Sequence, residues 1–367
     1  MIPDHLVIDN ILPRLPSNSL ALCRCVSKLW SSMIRRPNYD LLFPVKSPAP
    51  PRLLWAVEDA GDLLICSSPQ PQNLDQNFSL DITLHHTHSS KDFYKLCRPV
   101  GGLICLQHIE KEHIEKDHTF AVICNPITGE SLTLPKQRKE RIKSEWKDGK
   151  AAYSFGYDPI DKQFKVLCVT WSYRGSQNWP GQYQVLTLGT GKENLLWRKI
   201  QCHTSHYALE DNGICINGVL YYPAKTFSGN YTVVCFDVRS EKFSFINIAQ
   251  ELATKMDKPF VLVDYKSKLG AGVEYVREGH FELCVLDDAE EHRWSKMKHL
   301  GPIHFVKKSE RAAAVVCPQY YVNGPFYFFW GDLEINKQIR VRVEFLDLEA
   351  CCRVHTFSNF VEDEKLM

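Results

Sequence analysis

The 367-residue sequence contains no run of about 18 consecutive apolar residues, so no segment reads as a membrane-spanning helix. It also lacks an excess of either charge: 44 Lys and Arg face 43 Asp and Glu, a net charge of +1. That balance argues against a surface built for nucleic acid or anionic membrane, although a local patch stays open. The opening Met1-Ile2-Pro3-Asp4-His5-Leu6 has neither the basic stretch nor the apolar core of a secretory leader. The chain is therefore expected to be soluble and intracellular, in the cytoplasm, the nucleus or both. No CxxC pair, GxSxG elbow, HExxH or EF-hand loop occurs. Accordingly no catalytic residue, metal or cofactor is assigned, and a non-enzymatic role is expected.

Cysteine is plentiful, with 14 residues. Many lie within apolar runs: Cys105 in GGLICL, Cys124 in AVICNP, Cys168 in FKVLCV, Cys235 in TVVCF and Cys284 in FELCVL. In such a setting cysteine behaves as a small buried hydrophobe, so core packing is expected there instead of disulfides.

Two regions differ in character. In the first, Leu6, Val7, Ile8, Ile11, Leu12 and Leu15 fall close to helical spacing. Pro3 suits a first helical turn, and Pro13 ends or kinks the segment. Pro16-Ser17-Asn18-Ser19 supplies a turn and an N-cap for a second short helix through Leu20, Leu22 and Cys25. A third runs from Ser27 through Leu29, Trp30, Met33 and Ile34 to Arg35-Arg36-Pro37. Three helices this short bury little surface alone, so the unit calls for a partner.

IPDHL (2–6), ILPRLP (11–16), SL (19–20) and RCVSKLW (24–30) follow one another with almost no gaps. The stretch 2–36 strongly resembles an F-box; Ile2 stands where that family usually has Leu. The resemblance implies docking on the Skp adaptor, and through it on cullin and RING subunits. By position it makes Pro3, Leu6, Ile11, Leu12, Leu15, Leu20, Val26 and Trp30 candidates for bundle core plus adaptor contact. For any one of them, burial within the bundle alone is the competing reading.

Pro37, Pro44, Pro48, Pro50 and Pro51 mark a stiff connector. The expected organisation is an F-box at 1–40, a proline-rich linker at 41–52, a β domain at 53–360 and a tail at 361–367. In the β domain five segments share one plan of strand, acidic or glycine-bearing turn and second strand: 121–135, 183–200, 232–248, 281–297 and 341–357. Aligned at Asn125, Thr187, Asp237, Asp287 and Asp347, they recur about every 50 residues, the scale of a kelch-type propeller blade. CINGVLYYPA (215–224) and YVNGPFYFFW (321–330) add an Asn-Gly turn ahead of an aromatic strand; DAGDLLICSS (59–68) and VGGLICLQH (100–108) are weaker relatives. With 53–84 as a presumed further unit, the expected fold class is a small all-α F-box bundle followed by an all-β, kelch-like propeller of about six blades.

NPITGESLTLP (125–135) and SFGYDPIDKQFKVLCV (154–169) resemble the F-box-associated domain of plant F-box proteins. That resemblance covers most of 95–360 and implies that the C-terminal domain recognises a target protein, whose identity it leaves open.

Other features have plainer readings. Gly189-Thr190-Gly191-Lys192 departs from a phosphate loop, with Leu186 where the first glycine belongs, and reads as a hairpin turn. SYRGSQNW (172–179) reads as a loop. His85, His86 and His88 alternate as metal ligands on a strand do, yet only Asp81 and Asp92 stand nearby, so a solvated strand edge is expected. His108, His113 and His118 among glutamates read as an exposed insertion. KQRKERIKSEWKDGK (136–150) reads as an exposed connection, with an import signal or acidic-partner patch as the alternative. Tyr173, Trp179 and Tyr207, placed in connections, are the candidate target contacts.

The function expected is thus the substrate-recognition subunit of a Skp–cullin–F-box ubiquitin ligase, with the F-box on the adaptor and the propeller on an unidentified target. An F-box interaction scaffold outside a ligase, or a propeller enzyme, are the alternatives.

Overall fold

The structure is a computed structural model; it describes residues 52–360 apart from 60–61, 71–81, 90–92, 113–115, 137–148, 175–176, 190–194, 210–212, 249, 254–259, 266, 276–279, 296–297, 301–312, 317–325, 333–336 and 344–352. Antiparallel sheets follow one another along the chain. The first holds β1 (Arg52–Asp59), β2 (Asp62–Pro69) and β3 (Thr83–Ser89). The second is β4 (Phe93–Leu96), β5 (Ile104–Glu112), β6 (Lys116–Cys124) and β7 (Ser131–Thr133). The third is β8 (Gly149–Asp158), β9 (Gln163–Arg174), β10 (Gln177–Leu188) and β11 (Arg198–Ile200). The fourth is β12 (His206–Ala208), β13 (Ile214–Ile216), β14 (Val219–Thr226), β15 (Tyr231–Asp237) and β16 (Phe243–Asn247). A four-residue helix, α1 (Gln250–Ala253), precedes the fifth: β17 (Phe260–Tyr265), β18 (Lys268–Tyr275), β19 (His280–Asp288), β20 (Arg293–Trp294) and β21 (Lys298–Leu300). The sixth has three strands among the described residues, β22 (Ala313–Val316), β23 (Phe326–Asp332) and β24 (Lys337–Val343).

The last strand, β25 (Arg353–Phe360), leaves its sequence neighbours and pairs with β1, with Trp55 opposite Thr356 and Val57 opposite Val354. The first sheet therefore combines both ends of the described chain in the order β25-β1-β2-β3. The sixth sheet touches the first where β22 meets β25.

Apolar layers between consecutive sheets hold the ring together. Leu54, Ile65 and Phe357 of the first sheet pack on Ile104 and Leu106 of the second. Cys105 and Ile123 meet Phe155, Val166 and Cys168 between the second and third. Val169 and Val185 meet Leu220, Val234 and Phe236 between the third and fourth. Val233 and Ile246 meet Leu262, Ala271 and Cys284 between the fourth and fifth. A strand covered on both faces is apolar at consecutive positions, as in Leu53–Val57, where each residue is at most 1% exposed. The cysteines follow this rule: Cys66, Cys105, Cys124, Cys168, Cys235 and Cys284 are buried, and burial pushes the Cys66, Cys124 and Cys235 thiols up to about 12.

Four of the five repeated segments are hairpins within one sheet, β6–β7, β10–β11, β15–β16 and β19–β20. The fifth, 341–357, is not: its halves fall in β24 and β25, which belong to different sheets. The expected fold class is corrected accordingly. The described residues are almost wholly β, with no all-α bundle among them, and residues 1–51 lie outside the described structure. Among the described residues five sheets have the four or five strands of a full blade and the sixth has three, which gives five complete blades instead of about six. The count went astray because 341–357 was read as one hairpin, when its second half closes the ring.

Candidate functional site

The two ends of the propeller are built differently. At one end the chain reverses in short turns, several held by an acidic or amide side chain that accepts from backbone N–H groups beyond it. Asn125 Oδ1 accepts from Ile127 at 3.0 Å, Asp158 from Ile160 at 2.9 Å, Asp237 from Ser240 at 2.6 Å, Asp264 from Ser267 at 2.8 Å and Asp288 from Glu290 at 2.9 Å. These Asx turns explain why Asn and Asp marked the sequence repeat. In the fifth sheet the capping residue is Asp288, one past Asp287, because the β19–β20 pairing shifts register between Leu286 and Asp288. Asn217 and Gly218, with φ of 50° and 82°, form the expected tight turn between β13 and β14.

These turns also lock neighbouring blades. Lys165 on β9 is buried, and its Nζ donates to the Val238 carbonyl at 2.7 Å and to Glu241 Oε1 at 2.8 Å, both beyond β15. Arg198 of β11 joins the same carboxylate. This end is a fixed rim.

The opposite end carries an aromatic group. Trp171, buried near the end of β9, lies 6.3 Å from the ring of Tyr207, which meets Phe227 edge-on at 5.9 Å. Tyr173 and Trp179 belong to the same β9–β10 hairpin, with Tyr173 opposite Asn178 and Trp179 opposite Ser172. All three candidate target contacts therefore lie on strands β9, β10 and β12 and not in connections as expected; SYRGSQNW spans that hairpin instead of being one loop. The sequence could not reveal this, because Gly175 and Ser176 at its middle give the same turn signal for a loop and for the tip of a long hairpin.

Beneath the aromatic group sits His206, fully buried on β12. Its Nδ1 lies 2.9 Å from the Thr204 carbonyl, which only accepts, so Nδ1 carries the proton and Nε2 accepts from the Tyr222 hydroxyl at 2.7 Å. Tyr183 accepts from the His206 N–H at 2.9 Å and donates to its carbonyl at 3.1 Å. Burial lowers His206 to about 4, with the Thr204 carbonyl acting in the opposite direction. His85, 2.7 Å from the Ser67 hydroxyl, is also lowered to about 4, mainly by burial and further by Arg52.

Because the folded values lie below an unfolded value near 6.5, the unfolded chain binds more protons between pH 4 and 6.5, and stability rises with pH across that window. Acidification from pH 7 to 4 is expected to remove roughly 3 kcal/mol at His206 alone. Urea unfolding at a series of pH values should show this slope, and His206→Gln should reduce it, leaving the part due to His85.

A third feature ties together sheets that are not neighbours in the chain. Arg98, between β4 and β5, is buried at 7% exposure, and its Nη2 donates to the Leu262 carbonyl of β17 at 2.6 Å. This bond joins the second sheet to the fifth, which are not neighbours in chain order. A cavity of about 30 Å³ lies beside it, lined by Lys95, Arg98, Gln107, Ser154, Gly213 and Tyr222 among others. Burial lowers the Arg98 guanidinium to about 10, with Asp264 acting in the opposite direction, so it stays charged at neutral pH.

The family profile of the F-box associated beta propeller domain matches residues 52–361. The chain belongs to the F-box-associated β-propeller family. Its full-length relatives agree. At1g53550 of Arabidopsis thaliana, whose name also carries the F-box, is 48% identical, with 100% of this chain and 92% of that protein covered. The F-box protein DOR of the same plant is 39% identical, with 100% and 94% covered. Among solved structures, a Mycobacterium tuberculosis puromycin-hydrolyzing peptidase aligns with a TM-score of 0.40 at 11% identity over 81% of this chain and 46% of that one, too distant to bear on function.

In this F-box-associated propeller the remaining sequence candidates fall as follows. Pro3, Leu6, Ile11, Leu12, Leu15, Leu20, Val26 and Trp30 lie outside the described residues, as do 137–148 of the basic stretch. Gly189 follows β10, on the connection to β11. His85, His86 and His88 lie on β3, and His85 and His86 are half-buried instead of solvated. His108 stacks on Phe120 at 4.5 Å, half-buried and paired within β5–β6 where an exposed insertion was expected. Among the described residues no group of three or more His, Cys, Asp or Glu is arranged to hold a metal ion.

Proposed function

We propose that this chain is the substrate-receiving subunit of a Skp–cullin–F-box ubiquitin ligase, acting in the cytoplasm, the nucleus or both. Residues 1–40 dock on the Skp adaptor through Pro3, Leu6, Ile11, Leu12, Leu15, Leu20, Val26 and Trp30, and the propeller holds the target. The observation that carries this reading is the combination in one chain. Residues 52–361 match the F-box-associated propeller, and relatives that carry F-box names align with the whole chain. In this role the chain performs no bond chemistry. It raises the effective concentration of a target lysine near ubiquitin carried by other subunits, and a ring closed at β1–β25 suits that positioning.

Affinity purification of the chain with and without residues 1–51, followed by mass spectrometry, tests the division of labour. Adaptor and cullin should disappear with the deletion while targets remain. Adaptor without cullin in the intact sample would make the chain a scaffold outside a ligase.

The aromatic end of the propeller is assigned to the target. Alanine at Tyr173, Trp179 and Tyr207 together is expected to weaken target capture by about tenfold or more, as loss of aromatic anchors does. Adaptor binding should be unchanged and the melting temperature nearly so. A large fall in melting temperature would return these residues to the core, and undiminished capture would put the target elsewhere.

A further inference from the structure

Arg98 is a charged side chain inside the ring with part of its hydrogen-bonding capacity unused. Its Nη2 is satisfied by the Leu262 carbonyl, but Nη1, also buried, has no hydrogen-bond partner among the described residues. A buried donor is ordinarily paired, and a guanidinium offers its donors in a planar fork suited to a carboxylate. The neighbouring cavity is lined by Arg98 together with Ser154, whose residue type can donate to an anion. Gln107 also lines it but already donates to the Ala151 carbonyl at 3.0 Å.

We infer that the cavity at Arg98 is a binding site for a single carboxylate group, held by Nη1 of Arg98 with Ser154 beside it.

The size of the cavity limits the ligand. About 30 Å³ exceeds the ~10–15 Å³ needed for one water but admits only a head group. The carboxylate is thus either that of a small free acid or the end of a longer molecule. Asp264 also acts on Arg98 electrostatically, and its Oδ1 accepts from the Ser267 N–H at 2.8 Å. Nothing in this assignment depends on the F-box or on a ligase, so the two readings stand or fall separately.

The test uses the full chain in a buffer free of carboxylate and phosphate, at constant ionic strength set with chloride. Acetate, inorganic phosphate, and a short glycine peptide with a free or amidated C-terminus are titrated by calorimetry and by thermal shift. Acetate is expected to bind saturably. Arg98→Lys keeps the charge but loses the fork, and should weaken binding by about tenfold or more. Arg98→Met should abolish it; if that variant fails to fold, Arg98→Lys decides. Competition by the free-terminus peptide but not by its amide would identify a chain end as the source, and acetate alone a small acid. No saturable binding of acetate, saturation by phosphate only, or equal binding by Arg98→Lys would overturn the assignment.

Discussion

Ending the chain after Cys352 is expected to abolish cooperative unfolding and to send most of the protein into aggregates. The deletion removes β25, which completes the first sheet although it comes last in sequence. With it go Val354, Phe357 and Phe360, each at most 7% exposed, which at about 1.5–3 kcal/mol apiece rivals the ~5–15 kcal/mol that holds a whole domain folded. The deletion also bares one edge of β1, whose Leu54, Trp55 and Ala56 are fully or almost fully buried. A bare apolar edge pairs readily with other chains. Thermal melts and gel filtration should separate this deletion clearly from removal of 361–367, which is expected to change neither. A sharp, reversible melt after loss of β25 would show that the ring does not depend on that closure.

Replacing Leu12 and Leu15 together with aspartate is expected to eliminate co-precipitation of the Skp adaptor. Each is placed by resemblance on the apolar face that meets the adaptor, and burying such a side chain contributes about 1.5–3 kcal/mol. Losing two, and facing an apolar partner with two charges, lowers affinity by several powers of ten. The propeller, built from residues beyond 51, should melt as before. Retained adaptor binding would mean that the contact face has been misplaced.

Much of the propeller could be read in advance because its blades repeat a short-range device. Period-two and continuous apolar runs identified strands such as FKVLCV and TVVCF, and the Asx turns at Asn125 and Asp237 set the phase of the repeat. What escaped was long-range. Nothing local in RVHTFSNF indicates that it pairs with RLLWAVED about 300 residues earlier instead of with the strand just before it. The bulge that moves the cap from Asp287 to Asp288 is likewise a property of the pairing.

The candidate site was less legible, for a similar reason. Tyr173, Trp179 and Tyr207 were recognised as aromatic, but their places on β9, β10 and β12 depend on how long the β9–β10 hairpin runs. Arg98 gave no signal at all. In RPVGG it looks like any arginine ahead of a turn, and only closure of the ring brings Leu262, 164 residues away, across from it. The buried His206 was equally silent, since its partners Tyr183 and Tyr222 lie on strands of two different blades.

The most direct measurement is reconstitution: the purified full chain mixed with Skp adaptor, cullin and RING subunit, and resolved by gel filtration with mass determination. One peak containing all four at equal stoichiometry is expected, lost with Leu12→Asp plus Leu15→Asp while the propeller still unfolds cooperatively. A chain that is folded yet elutes apart from the adaptor would contradict the proposed role.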